Sequence, residues 1–153
     1  MKRDMARYAA LEVSRAEMAV QQRDAVLGAA RIGMLSMLTA AGAPAAVPIW
    51  YEWDGERARM FTARDAAKVA RIRRDGRVCL TVAEPTGVPE AWVSIEGRAW
   101  IEEGTGFALA KRLAPRYYAP EKAARTLAEW GRTAEEWVTV VVEPTRIRSS
   151  APE

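Results

Sequence analysis

The chain has 153 residues, half of them apolar and 28% charged, which is the composition of one ordinary globular domain. It contains no histidine and a single cysteine, Cys79, which excludes Ser-His-Asp and Cys-His nucleophilic machinery, histidine-based metal sites and an internal disulfide. The net charge of +3 suits an anionic ligand but is too small to imply nucleic acid, and no apolar run reaches the roughly 20 residues that a bilayer requires.

Carboxylates are the metal ligands left, and no Asp/Glu cluster has suitable spacing, so no metal site is expected. The segment "MKRDMARYAALEVSRAEMAV" is charged throughout and lacks a signal-peptide apolar core, so a soluble, cytoplasmic protein is expected. If the chain is an enzyme, a bound cofactor carries the difficult chemistry.

In chain order, Ser14-Arg15-Ala16-Glu17 matches a capping box and predicts a helix from about Arg15 to Leu27, with Met18, Gln22, Ala25 and Val26 inward. The first dozen residues suit another amphipathic turn or two. "RIGMLSMLT" (31–39) is too short for a core helix and reads as a strand. A turn around Gly42 leads to a second strand, Pro44–Trp53, in which Pro48 marks an edge or bulge. Asp54-Gly55 is a strong hairpin signal before a third strand, Glu56–Thr62.

Asp65 is a candidate N-cap for a short helix, Ala66–Arg74, closed by Gly76. "RVCLTV" (77–82) follows as a buried strand in which Cys79 reads as a small hydrophobe. After the loop "AEPTGVPE" comes a long alternating strand, Ala91–Glu103. Helices are predicted from Thr105 to about Leu113 and from Glu121 to Trp130, then a last strand over Trp137–Pro144.

Connections of hairpin length favour an antiparallel sheet of about six strands closing into a small barrel with flanking helices, rather than a parallel sheet. One domain covers 1–153, divided into a helical segment (1–28), a barrel core (31–103), helices (105–131) and a last strand with tail (137–148).

Two stretches bear on chemistry. "FTARDAAKVARIRRDGRV" (61–78) places six Lys/Arg and two Asp where a strand hands over to a helix. The unpaired N–H groups of that helix start, with Lys68 in its first turn and Arg64 and Arg71 beside it, suit a phosphate. A solvated basic face with Val69 and Ile72 inward accounts for the same pattern. "VPIWYEW" (47–53) concentrates aromatic surface around Pro48 and suits either a flat ring lying on the strand or simple packing. Trp92 and Trp100 share a strand face with Ser94, Glu96 and Arg98, a mixture typical of a homodimer interface.

The ordered set "GMLSMLTAAGAPAAVPIWYEWDG", "FTARDAAKVARIRRDGRV" and "WVSIEGRAWIEE" resembles the pyridoxamine 5'-phosphate oxidase-like superfamily of FMN-binding split β-barrels, closest to its small bacterial branch using FMN or the deazaflavin coenzyme F420. The resemblance implies a homodimer with cofactor clefts between subunits. Lys68 would bind the cofactor phosphate, with Thr62, Ala63, Arg64 and Arg71 around it, and Val47, Pro48, Ile49 and Trp50 would lie against the ring. The family often has Asn where Arg71 stands and Pro where Gly76 stands. "KRLAP" (111–115) only echoes the terminal substrate-binding signature of the vitamin B6 oxidases, which argues against that activity.

The expected function is hydride transfer between a flavin or deazaflavin and a small organic molecule, with Tyr51 or a bound water as possible proton donor. The alternative is a non-catalytic binder of flavin, deazaflavin or another planar ligand. FMN and F420 fit equally; an anionic deazaflavin tail would draw on Arg57, Arg59 and Arg73. Nucleic-acid binding through Arg64–Arg77 is disfavoured by the near-neutral charge and by Glu52, Glu102 and Glu103.

Overall fold

The computed structural model describes residues 15–16 and 18–152. Its elements are β1 (Arg15–Ala16), α1 (Val20–Gly28), β2 (Gly33–Leu38), β3 (Pro44–Ile49), β4 (Glu52–Trp53), β5 (Ala58–Ala63), α2 (Ala67–Arg74), β6 (Arg77–Ala83), β7 (Trp92–Glu102), α3 (Gly106–Tyr117), α4 (Pro120–Trp130), a 3-10 segment (Gly131–Glu136) and β8 (Trp137–Pro152).

The strands form one antiparallel sheet in the order β3-β2-β6-β7-β8-β5-β4, with β1 added to the far end of β8. The mainly β, split-barrel expectation therefore holds. Alternation drives the closure: Ala58, Met60 and Thr62 on β5, and Val93 and Ile95 on β7, point inward and are buried, while their neighbours face out. Leu35, Leu80, Val140 and Val142 complete the apolar interior, and Val69 and Ile72 bury the inner stripe of α2.

The two edge strands, β3 and β4, are consecutive in the chain, so Trp50-Tyr51 crosses from one edge of the sheet to the other. The single strand expected over Pro44–Trp53 is therefore two. Pro48 sits on an edge, where its missing donor costs no ladder bond. Asp54-Gly55 turns as expected, with Gly55 at φ 96° and Asp54 Oδ1 accepting from the amides of Glu56 (2.8 Å) and Arg57 (2.7 Å).

Other expectations need correction. The first helix starts at Val20 behind Ala19, with no side-chain cap, and Arg15–Ala16 is strand. Its inner residues are Val26 and Leu27, while Gln22 and Ala25 are exposed; the turns expected in the first dozen residues lie outside the described residues. Asp65 does not cap α2, which begins behind Ala66. Gly76 serves close packing: a Cβ there would lie 2.7 Å from the Ala99 carbonyl oxygen, and Gly76 O accepts from Ala99 N at 2.7 Å. Cys79 faces outward, partly buried, with its thiol 3.1 Å from Ser94 Oγ. The last strand runs to Pro152 because β7, 11 residues long, offers it a partner almost throughout.

Candidate functional site

A cleft of about 390 Å³ opens where the split in the sheet meets the helices. Ile32, Pro48, Ile49 and Trp50 form its strand side, Phe61 comes from the outward face of β5, and Tyr118 and Trp130 come from the ends of α3 and α4. Trp50 stacks on Tyr117 with centroids 4.6 Å apart and planes 4° from parallel, and it meets Tyr118 edge-on at 4.7 Å. Phe61, Trp130 and Trp137 continue the cluster, and Trp137 Nε1 donates to the Trp130 carbonyl at 3.2 Å.

At the end of β5 the chain makes a second feature. Lys68, in the first turn of α2, is half-buried, and its ammonium donates to the Oγ1 of buried Thr62 at 3.1 Å. It has no carboxylate partner among the described residues, and burial pushes its pKa down. No side chain caps the N-terminus of this helix. A cation there works against the helix dipole as well as against desolvation, so the site favours a negative ligand. The Arg71 side chain likewise has no hydrogen-bond or ion-pair partner among the described residues.

The expected site residues thus fall into three groups. Pro48, Ile49 and Trp50 line the cleft, whereas Val47 packs against the core beside them. Thr62 and Lys68 form the polar pair, with Arg71 on the same helix; none of these three lines the cleft. Ala63 pairs with Trp137 across the sheet, and Arg64 is engaged elsewhere: Nε donates to Glu103 at 3.0 Å and an Nη to the Glu135 carbonyl at 2.7 Å. Arg57, Arg59 and Arg73 are each paired, with Glu143, Asp54 and Glu103 respectively, so none is a free cation for a ligand tail.

Tyr51 is 1% exposed and donates to the Ala29 carbonyl at 3.5 Å. Burial, reinforced by Tyr117, pushes its phenol far above the usual tyrosine range, and the side chain packs into the core and does not line the cleft. The sequence reading missed Tyr117, Tyr118 and Trp130, although Arg-Tyr-Tyr just before a helix-starting Pro, and a Trp ending that helix, are an aromatic concentration at helix ends.

Among solved structures, an F420 reductase is 22% identical, with a TM-score of 0.64, covering 81% of this chain and 94% of that one. A conserved hypothetical protein of Mycobacterium tuberculosis is 24% identical (TM-score 0.69; 90% and 87% covered). An FAD-binding protein of Mesorhizobium loti is 20% identical (TM-score 0.66; 91% and 99% covered). These likenesses establish the fold. No curated protein matches the sequence. The family model described as pyridoxamine 5'-phosphate oxidase matches residues 19–148, most of the chain. With the split sheet, the aromatic cleft and the lysine that lacks a carboxylate in place, the chain belongs to the pyridoxamine 5'-phosphate oxidase family.

Proposed function

We propose that the chain is an oxidoreductase dependent on a flavin-type cofactor, FMN or the deazaflavin F420, acting on a small organic substrate other than a B6 vitamer. The observation that carries the reading is Lys68: a half-buried ammonium held by a neutral hydroxyl beside an uncapped helix start. An ammonium without a carboxylate fits a phosphate, and the aromatic cleft fits a flat ring, so the residues present suit such a cofactor. An F420 reductase and an FAD-binding protein among the structures of the same fold agree with it.

When bound, the cofactor supplies the hydride chemistry. The chain's own part is to hold the phosphate at Lys68, Thr62 and the α2 amides, to set the ring against Pro48–Trp50, and to exclude water with Phe61, Tyr118 and Trp130. Ile32 and Met34, exposed at 52% and 42% beside the cleft, fit a second subunit that completes it, so the working unit is a homodimer.

The test is titration of the purified protein with FMN and with F420, following absorbance and fluorescence. Binding of either at micromolar concentration is expected, and binding of neither refutes the reading. A second reading, a binder without turnover, draws on one observation: among the described residues Tyr118 is the only ionisable one lining the cleft. Tight binding with no reductase or oxidase activity across a substrate panel would favour it.

A further inference from the structure

We infer that Tyr117 is a positioning residue of the cleft, setting where Trp50 and the end of β3 lie. The inference rests on the reading that this strand segment faces the cofactor ring. β3 and β4 are opposite edges of the sheet, and among the described residues no ladder joins them; only the linker Trp50-Tyr51 connects the two. A linker of that kind has no backbone partner to fix it, so its place must come from outside the sheet.

Tyr117, at the last position of α3, supplies that. Its hydroxyl donates to the Arg31 carbonyl at 2.8 Å, just before β2, and accepts from the Tyr51 amide at 3.4 Å. Its ring lies parallel to the Trp50 indole at 4.6 Å. One side chain therefore ties the start of β2, the linker between the two edges and a wall of the cleft to one helix end. Burial raises the Tyr117 phenol pKa, so it stays protonated and keeps donating throughout the neutral range. Arg116, next to it, donates to the Gly28 carbonyl, pinning the same helix end to the end of α1.

The experiment compares Tyr117→Phe, which keeps the stack and loses the hydroxyl, with Tyr117→Leu, which loses both. Leu113→Val, a buried change on the same helix away from the cleft, is the stability control. Near-ultraviolet circular dichroism of the full chain reads the Trp50–Tyr117 stack, assigned by Trp50→Leu, and FMN titration reads the cleft. We expect the dichroic band to survive in Tyr117→Phe and vanish in Tyr117→Leu. FMN affinity should fall about fivefold in the first, the weight of one lost hydrogen bond, and at least about fiftyfold in the second. Leu113→Val should lower thermal stability and keep both readouts.

An unchanged band in Tyr117→Leu overturns the inference, as does an affinity loss no larger than that of an equally destabilised Leu113→Val. If the wild-type chain binds no flavin, the proposed function falls while the dichroism still decides whether Tyr117 places Trp50.

Discussion

Replacing Lys68 with methionine separates a ligand-binding lysine from a structural one. In the free protein the substitution removes two opposing contributions. The ammonium is half-buried without a carboxylate, so its desolvation cost disappears, while the 3.1 Å hydrogen bond to Thr62, worth about 1 kcal/mol, is lost. Methionine refills most of the stem's volume, so unfolding in urea should show a stability within about 1 kcal/mol of wild type. With a phosphate bound the terms no longer offset each other. A charge-assisted hydrogen bond contributes about 1.5–3 kcal/mol, so FMN or deazaflavin affinity should fall roughly 10- to 150-fold. The pH profile gives a second signature. Burial holds the lysine below the 10.5 of an exposed one, so wild-type affinity should decline as pH rises through that lowered value, and the methionine variant should be flat there. Calorimetric titration at several pH values measures all of this. An affinity within twofold of wild type, or a loss of several kcal/mol of stability, would refute the phosphate assignment.

Gly106→Ala puts a Cβ 2.5 Å from the Val138 amide nitrogen, where ordinary contact begins near 3.4 Å, so α3 must back away from β8. A loss of about 3 kcal/mol in urea unfolding is expected. Burial alone would raise the Asp54 pKa, but hydrogen bonds from the Arg57 amide, the Arg59 side chain and the Glu56 amide hold it at about 2, against an ordinary 3.8. Its contribution is thus complete above 3.8 and lost as pH falls through about 2. Asp54→Ala should therefore cost about 1–2 kcal/mol at neutral pH, with the difference from wild type shrinking to nothing in acid unfolding series. Met34→Asp places a charge on the exposed apolar face beside the cleft; sedimentation velocity should show a wild-type dimer and a monomeric variant, and a wild-type monomer would refute the shared cleft.

What the sequence discloses follows the range of the forces involved. The β5–α2 junction reads well because strand alternation, the inward Val69 and Ile72 and the turn are all local. The switch at Trp50-Tyr51 does not, since "VPIWYEW" keeps the look of one strand while its two halves belong to two hairpins, one pairing with Met34 and one with Arg59, whose places at opposite edges are set by the distant strand β8. Arg64 likewise looks like part of a phosphate cluster until Glu103 and Glu135, far along the chain, come beside it. Cys79 looks apolar from its immediate neighbours, but it shares the outward face of β6 with Arg77 and Thr81, where its thiol meets Ser94 of β7. The helix side of the cleft was hidden for the same reason: Tyr118 and Trp130 face Trp50 only once α3 and α4 pack across the split.

The place of β8 has a consequence for how the molecule assembles. Its first half pairs with β5 and its length with β7, so among the described residues it is the only strand joining β4-β5 to the β3-β2-β6-β7 layer. A ribosome makes those two pieces first, and each waits with an open edge until residues 137–152 arrive. Closing that gap spans more than seventy positions between Ala63 and Trp137, a contact of long sequence separation that slows folding. Any element that ties the pieces together earlier shortens the search. Tyr117, which bonds Arg31 before β2 and Tyr51 before β4, touches both pieces on the far side of the split and leaves the edges of β5 and β7 open for that last strand.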